Sequence, residues 1–258
     1  RPVQVLTVSL SILMFILAFS PLASASSFAG GSGTVNNPYQ IDNVDHLQAM
    51  EENLDNHFIL TSDIDATETS TWNGGAGFDS IGDNYTTYFT GSFDGNGYVI
   101  ENLYIDRAST SYIGLFGYAG SGAVVENVGL ENENITGSWY VGGLVGESDG
   151  SVSNCYSTGS VNGNNSYVGG LVGQNDGLVS DTYARGSVNG SNTVGGLVGS
   201  NTGSRAQDAT VTESYASGLV TGEEYSVGGL IGNEEETTTD SYWDIQATGQ
   251  SDGLGDDI

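Results

Sequence analysis

The sequence has 258 residues, and its 32 acidic residues face only four arginines and no lysine, which gives a net charge of −28. Such a surface repels phosphate backbones and anionic lipid headgroups, so the charge argues against nucleic-acid binding and peripheral membrane attachment. Cys155 is the only cysteine, which excludes an internal disulfide framework and a cysteine-ligated metal cluster.

The absence of lysine beside this acidity resembles the composition of proteins from halophilic archaea. At molar ionic strength the Debye length falls to about 3 Å, which screens the self-repulsion of so acidic a chain. We therefore expect a halophilic protein.

The first 25 residues have the layout of a secretory signal peptide. An uncharged stretch from Val3 to Phe19 follows Arg1 and precedes Pro21 and the tripeptide Ala23–Ala25. A membrane anchor is the alternative, because about 20 apolar residues span a bilayer. The small-residue tripeptide favours cleavage after residue 25, so we expect an extracellular or cell-surface protein without stable membrane insertion.

Residues 26–112 are predicted to form an N-terminal cap and irregular first coils. Leu47, Met50 and Leu54 fall on one face of a predicted helix over residues 43–54, with Asp42 or Asn43 as its N-cap. We expect this helix to cover the open end of a stack of coils. Three strand-like segments follow, beginning at Phe58, Phe78 and Phe89, and the last contains a turn at residues 94–97.

Residues 113–250 repeat two sequence elements. The first is VGGLVG or a variant of it, with central leucines spaced by 29, 27, 26 and 33 residues: Leu115, Leu144, Leu171, Leu197 and Leu230. The second carries one tyrosine per unit, at Tyr156, Tyr183, Tyr215 and Tyr242. The longest unit holds extra residues around 202–209, including Arg205, which we interpret as a loop.

The composition of these repeats favours short strands over helices. Each VGGLVG contains three glycines, and the partner element is rich in Val, Thr, Tyr and Ser. One such coil cannot bury its own apolar side, whereas stacked copies share a core. We therefore predict an all-β, right-handed parallel β-helix, or β-solenoid, of coils of about 27 residues with a short N-terminal capping helix.

Within each coil we expect the leucines to point inward and the glycines to form corners. The valines of the second element change parity, which predicts a bend near Gly159, Gly186 and Gly218. Residues 251–258 are interpreted as an acidic tail or the start of a linker.

At the residues GLVG and GLIG the sequence resembles the GLUG-motif repeats of bacterial and archaeal surface proteins. These include adhesin-like proteins and the non-catalytic regions of IgA-cleaving metallopeptidases. The resemblance extends to the segment from Phe89 and to SYWD near the C-terminus. It implies a stacked repeat architecture and is compatible with several functions.

The familiar catalytic motifs are missing from the sequence. A zinc peptidase needs two histidines one helical turn apart, but His46 and His57 are eleven residues apart. A polysaccharide lyase or hydrolase would need a base or paired carboxylates, and Arg107, Arg185 and Arg205 lie beside no distinctive acidic cluster in the sequence. We predict no catalytic, cofactor-binding or metal-binding residue.

Calcium is the one cofactor that the sequence raises as an alternative. Asp63 with Asp65, or Asp149 with Asp176 at matching turn positions, offer carboxylate ligands. No complete calcium loop accompanies them, so we prefer solvated acidic turns. Cys155 aligns with Thr182, Ser214 and Ser241 in the other repeats, which favours a small packed side chain over a reactive thiol.

Export makes N-glycosylation relevant at the sequons of Asn84, Asn134, Asn164 and Asn189. Together these observations predict an exported, non-enzymatic surface or secreted protein, adhesin-like or a structural spacer, whose partners are glycans, cell-surface proteins or cations. The alternatives are a polysaccharide-active β-helix enzyme and a non-catalytic accessory region of a larger secreted protein.

Overall fold

The computed structural model describes residues 28–203, 208–223 and 225–255. The predicted signal peptide, Arg205 in the predicted loop and the last three residues lie outside these ranges. Signal cleavage therefore stays a prediction. Within the described ranges, no helix is both long and apolar enough to cross a bilayer.

The first part of the fold, up to residue 112, mixes short strands with irregular connections. Its elements in chain order are β1 (Tyr39–Ile41), α1 (Val44–Gln48), the 3₁₀ helix Ala49–Glu52, β2 (His57–Leu60), β3 (Ile64–Asp65), the kinked 3₁₀ segment Thr67–Gly75, β4 (Ser92–Asp94), β5 (Val99–Glu101) and β6 (Tyr104–Asp106).

The second part consists of regular coils and ends in a short helix. Its elements are β7 (Phe116–Ala119), β8 (Val124–Glu126), β9 (Gly129–Glu131), β10 (Asn134–Gly137), β11 (Val141–Gly142), β12 (Val145–Ser148), β13 (Ser151–Ser153), β14 (Tyr156–Ser157), β15 (Ser160–Gly163), β16 (Ser166–Gly169), β17 (Val172–Asn175), β18 (Leu178–Ser180), β19 (Tyr183–Ala184), β20 (Ser187–Gly190), β21 (Asn192–Gly195), β22 (Val198–Asn201), β23 (Thr210–Thr212), β24 (Tyr215–Ala216), β25 (Val220–Gly222), β26 (Val227–Gly228), β27 (Ile231–Glu234), β28 (Thr237–Thr239), β29 (Tyr242–Trp243) and α2 (Ile245–Thr248).

These strands form five sheets, and each regular coil contributes one strand to each sheet. The pairing between neighbouring coils is parallel throughout the named strands, as in β13 with β18 and β14 with β19. The predicted parallel β-helix is therefore confirmed. The strand orders are β1-β2-β4-β8-β13-β18-β23-β28, β3-β5-β9-β14-β19-β24-β29, β6-β10-β15-β20-β25, β11-β16-β21-β26 and β7-β12-β17-β22-β27.

The interior is a continuous column of apolar side chains. The central leucines of the repeats are buried as predicted, and valines on either side of them are fully buried too. Stacking lets each coil bury these residues against the coil before and after it, which no coil achieves alone. The buried leucines are Leu115, Leu144, Leu171, Leu197 and Leu230.

One glycine of each regular VGGLVG unit lies at a corner between two sheets, as predicted, at Gly143, Gly170 and Gly196. None of the three glycines in the unit from Val141 has a positive φ. A side chain at Gly169 would instead place its Cβ 1.9 Å from the carbonyl oxygen of Val172, so glycine is needed for close backbone approach. The left-handed corner positions are taken by Tyr140, Tyr167, Thr193 and Ser226 in one row and by Asn154, Asp181, Glu213 and Asp240 in another.

The parity change between the repeat valines occurs over two corners. One is the left-handed Asn154, and the other lies between β14 and β15, at Gly159. A Cβ at Gly186 would lie 1.9 Å from the carbonyl oxygen of Gly159, so backbones of successive coils also meet closely here. The bend predicted near these glycines is present, with a second corner that the sequence did not reveal.

The N-terminal helix is shorter than predicted. Only residues 44–48 are α-helical, and a 3₁₀ helix completes the segment to Glu52. Asn43 is the N-cap, because its side chain accepts a hydrogen bond from the backbone N–H of His46. Leu47 and Met50 are fully buried, which explains the apolar face in the sequence.

The C-terminal segment, up to residue 255, is hydrogen-bonded to the last coil. Backbone N–H groups of Gly229 and Leu230 donate to the carbonyls of Asp252 and Gly253. Part of the predicted acidic tail is therefore packed on the solenoid.

Candidate cation site and a nearby cleft

Three carboxylates meet where the β12 and β17 sheet turns into the next coil. Glu147 lies in β12, Asp149 follows that strand, and Asp176 follows β17 one coil later. One carboxylate oxygen of each residue lies within 4.8 Å of the other two. Glu147 and Asp176 are buried, at 8% and 5% exposure, so this is not a set of fully solvated turn residues.

A buried amide fixes the turn that carries Asp176. Asn175 points inward and is fully buried; its Oδ1 accepts from the backbone N–H of Gly177 at 3.1 Å. Its Nδ2 donates to Oδ1 of Asn201 in the next coil at 2.8 Å. The polar ladder therefore holds successive turns in register.

Neighbouring side chains orient the aspartates. The Tyr118 hydroxyl donates to Oδ2 of Asp149 at 2.6 Å. Asp176 accepts from Nε2 of Gln174 at 2.9 Å and from the Thr202 hydroxyl at 3.0 Å. These donors come from the coils of β7, β17 and β22, so the site depends on the stacking.

A tyrosine stack borders the carboxylates. Ring centroids of Tyr112 and Tyr140 are 4.8 Å apart, and those of Tyr140 and Tyr167 are 5.1 Å apart, with nearly parallel planes. Burial, and then the charge of Glu147, raises the pKa of Tyr140 to about 12. The hydroxyl of Tyr140 is therefore neutral at physiological pH.

Chemically, the three carboxylates could hold a cation. Divalent calcium takes six to eight oxygen ligands in flexible geometry, and these side chains together with nearby hydroxyl and amide oxygens are of the right type. The sequence found Asp149 and Asp176 but missed Glu147. The spacing in the sequence could have revealed Glu147, because residues two apart in an extended segment, such as Glu147 and Asp149, point to the same side.

The other predicted acidic pair does not form a cluster. Asp63 accepts from the backbone N–H of Val99, and Asp65 accepts from Thr67 and from Asn102. The hydrogen bonds of Thr67 lower the pKa of Asp65. Both aspartates thus tie consecutive coils together as structural acceptors.

A cleft of about 290 Å³ lies between the first irregular coils and the first regular one. Its lining includes Glu51, Asp79, Asp83 and Arg107. Arg107 forms an ion pair with Asp79. No distinctive acidic cluster lies beside Arg107 in the sequence, but the fold brings it to Asp79 from another connection of the chain.

Glu51, in the 3₁₀ helix Ala49–Glu52, contributes one carboxyl to this cleft. Its pKa is raised, first by burial and then by the negative charges of Asp79 and Glu52. Gln48 donates to Oε2 of Glu51 at 3.1 Å and also to the carbonyl of Asp79 at 2.9 Å. The N-terminal segment and the first coils thus share one polar network.

The cysteine and the two histidines contact other residues of the fold. Cys155 is buried, and burial raises the pKa of its thiol to about 12, so the thiolate form is suppressed. His46 contacts Asp42 and Asn43, and His57 contacts the Ser92 hydroxyl at 2.7 Å.

The sequons occupy different surroundings on the solenoid. Asn134 and Asn189 are exposed strand residues, and Asn164 is exposed just after β15. Asn84 is half-buried, and its side chain accepts from the backbone N–H of Thr86 at 2.8 Å. Glycosylation at these positions stays a prediction.

Stacked five-strand coils with a shared apolar column define this chain as a parallel β-helix repeat protein. Residues 137–162 and 164–189 each match the sequence model of the GLUG motif. The central coils are thus GLUG repeats, which confirms the resemblance seen in the sequence.

Three relatives align with the chain over much of its length. Halomucin of Haloquadratum walsbyi is 39% identical over 235 residues, covering 81% of this chain. A protein described as a Gly-rich membrane protein of Evansella cellulosilytica is 41% identical over 51% of the chain, and the immunoglobulin A1 protease of Streptococcus sanguinis is 31% identical over 72%. The aligned parts span only 2%, 16% and 8% of these relatives, respectively.

A solved structure has the same fold. A crystal structure from Bacteroides ovatus, described as that of an immunoglobulin A1 protease, superposes with a TM-score of 0.64. The match covers 84% of this chain and 78% of the other, at 22% sequence identity. At this identity the likeness supports the fold alone.

Proposed function

We propose that the chain is a non-catalytic module of an exported, cell-surface or secreted protein, adhesin-like or a spacer. The observation that carries this proposal is the uninterrupted eight-stranded sheet from β1 to β28, which makes the coils one stiff body with an acidic exterior. A stack of this kind holds its outer face away from an attachment point.

The comparisons support a modular role. The aligned relatives are far longer than this chain, which corresponds to 2–16% of their length. One of them is described as a membrane protein and another as a protease. A similar solenoid therefore accompanies proteins of different description, as expected for a presenting or binding module.

The test combines location with activity. Antibodies against residues 26–258 should label intact cells of the source organism or precipitate the protein from its medium. The purified chain should release no reducing ends from neutral or acidic polysaccharides in molar KCl. An antigen confined to the cytosol would overturn the location, and oligosaccharide release would overturn the non-catalytic role.

The cleft around Glu51 favours one alternative, a polysaccharide-active enzyme. A carboxyl of raised pKa beside further carboxylates is the arrangement that acid–base glycoside cleavage uses. If the chain releases reducing ends, Glu51→Gln should abolish the release, while Glu68→Gln, at an exposed position outside the cleft lining, should leave it unchanged. Release that survives Glu51→Gln would exclude this cleft.

A further inference from the structure

We propose that a second cleft, on the outer face of the seven-stranded sheet, binds an uncharged saccharide. The inference rests on the proposed function, because it gives a binding module its ligand class. The cleft has a volume of about 600 Å³ and lies beside the last strand, β29. Its lining includes Tyr215, Ser217, Tyr242, Trp243, Asp244 and Ile245.

The cleft opens where a row of stacked tyrosines ends. Tyr156, Tyr183, Tyr215 and Tyr242 are register partners on neighbouring strands. The first three stack with ring centroids 4.8 Å and 5.0 Å apart and planes within 12° of parallel. Among the described residues the stack stops at Tyr215, and Tyr242 is 67% exposed.

The earlier tyrosines are covered by their neighbours. The Arg185 guanidinium lies 4.6 Å from the centroid of Tyr183 and 5.4 Å from that of Tyr215. It also donates a hydrogen bond to the Tyr215 hydroxyl. An incoming ligand therefore finds accessible aromatic surface at the last step of the row, between Tyr215 and Tyr242.

The strand that carries Tyr242 is anchored from its inner side. The next residue, Trp243, packs against the core, and a Cβ at Gly229 or Gly253 would lie 2.3 Å or 2.4 Å from its ring. Its Nε1 donates to the carbonyl of Gln250 at 3.1 Å. A strand that is already held in place reduces the ordering cost of binding.

One wall of the cleft is formed by α2 and its N-cap. Asp244 caps this helix by accepting from the backbone N–H groups of Gln246 at 2.9 Å and Ala247 at 3.1 Å. Ile245 projects from it with 55% exposure, facing the same cleft as Tyr242. Two exposed apolar side chains, Tyr242 and Ile245, thus line the cleft together with polar residues.

This lining matches the surface of a pyranose. A sugar ring has an apolar face of C–H groups, which packs on aromatic rings, and an edge of hydroxyls, which bonds to polar groups. The Ser217 hydroxyl, the Asp244 carboxylate and the Gln246 amide supply such partners. A wholly apolar ligand would leave these polar groups uncompensated.

Charge decides between kinds of saccharide. Asp244 is the charged residue that lines this cleft, and the chain as a whole carries a net charge of −28. An anionic polysaccharide would be repelled, whereas a neutral chain would not.

The experiment titrates the chain of residues 26–258 with cellohexaose, mannohexaose and chitohexaose, and with hexagalacturonate as an anionic probe, in molar KCl. Calorimetry and saturation-transfer NMR report binding. At least one neutral probe should bind and hexagalacturonate should not. Tyr242→Ala should weaken binding about tenfold, the loss expected for one ring contact.

Tyr225→Ala is the matched control, because Tyr225 is 58% exposed and lies outside the cleft lining. It should bind as the native chain does, and Ile245→Ala should weaken binding through the other wall. If no neutral probe binds, or if Tyr242→Ala and Ile245→Ala both bind normally, the saccharide site is overturned. Either result would leave the spacer role standing, so the two proposals fail separately.

Discussion

The first coils and the regular coils fill the same inward row with side chains of different size. In the eight-stranded sheet this row begins with the half-buried Tyr39. It continues with residues that are all buried, Phe58, Phe93, Val125, Val152 and Val179. Phe93 also meets Phe116 with ring centroids 5.5 Å apart. One column therefore contains an aromatic end and an aliphatic body.

The connections between coils are also longer at the aromatic end. Phe58 and Phe93 are register partners 35 residues apart, whereas Val152 and Val179 are 27 apart. The extra length lies partly in the mostly exposed 3₁₀ segment Thr67–Gly75, so this end is less regular than the body. Large rings fill irregular space, while identical small residues suffice where each coil repeats the last.

The largest expected loss of stability distinguishes the aromatic end of the column from its aliphatic body. Phe93→Ala should lower the free energy of unfolding by about 3–5 kcal/mol, because it leaves a ring-sized cavity. Val179→Ala in the same row should cost less, about 2 kcal/mol, since fewer buried carbons are removed. Urea unfolding in molar KCl measures both. Equal losses would show that the aromatic end is no more tightly filled than the body.

A glycine exchange tests the close backbone approach in the regular coils. Gly169→Ala should lower the free energy of unfolding by about 1–3 kcal/mol, because its Cβ would lie 1.9 Å from the Val172 carbonyl oxygen. Gly30→Ala is the control in the N-terminal region, where a Cβ would meet only the side chain of Gln40. A neutral result for Gly169→Ala would mean that the backbone at this corner can shift without loss of stability.

Buried Glu133, at the corner before β10, should make stability depend on pH. Burial raises its pKa above the usual 4.5, against the opposing hydrogen bonds from Ser157 and Gly159. The folded state binds the Glu133 proton more tightly than the unfolded state does. The protonated carboxyl therefore contributes its full stabilisation below about pH 4.5, and this contribution is lost as the pH rises through the raised pKa.

Glu133→Gln should remove this dependence and be more stable than the native chain at pH 8 by about 1 kcal/mol, a typical cost of one poorly satisfied buried group. Thermal unfolding between pH 4 and pH 8 measures this difference, with Glu223→Gln, which removes an exposed carboxylate, as the control. Parallel pH profiles for native chain and Glu133→Gln would contradict the prediction.

The smallest expected effect concerns the carboxylate cluster. Glu147→Gln reproduces the residue that Gln174 supplies one coil later, and it removes one of three charges within 4.8 Å. In EDTA and low salt it should stabilise the chain by about 0.5–1 kcal/mol, and less in molar KCl, where screening is strong. The pKa of Tyr140 should fall at the same time, which spectroscopic titration reports.

Destabilisation by Glu147→Gln in EDTA would contradict mutual repulsion in the cluster. Stabilisation of the native chain by added calcium, lost in Glu147→Gln, would identify the cluster as a cation site.

The regular coils were the most predictable part of the fold. Repetition placed Leu144 and Leu171 inside and the tyrosine row at equivalent positions, because stacking forces equivalent residues into register. The corners were less predictable. Tyr140 and Tyr167 adopt left-handed conformations that asparagine tolerates better, and only the shared geometry of successive coils explains them.

The two clefts and the complete cation cluster could not be predicted from the sequence, because their residues meet only in the fold. Glu51, Asp79 and Arg107 come from different connections, so no local spacing links them. Asp149 and Asp176 were recognisable as matching turns, but their closeness to Glu147 depends on the face that each side chain takes. Long-range contacts in a solenoid follow from the register, which is known only once the coils are stacked.

Uniform register between coils also affects how such a protein can evolve. Each regular coil offers the next one the same set of five short strand edges, so a duplicated or deleted coil meets familiar neighbours on both sides. Unequal recombination in the gene could therefore lengthen or shorten the rod by whole turns while each remaining turn keeps its contacts. Reach then becomes a trait that selection can adjust separately from the surface that the rod displays.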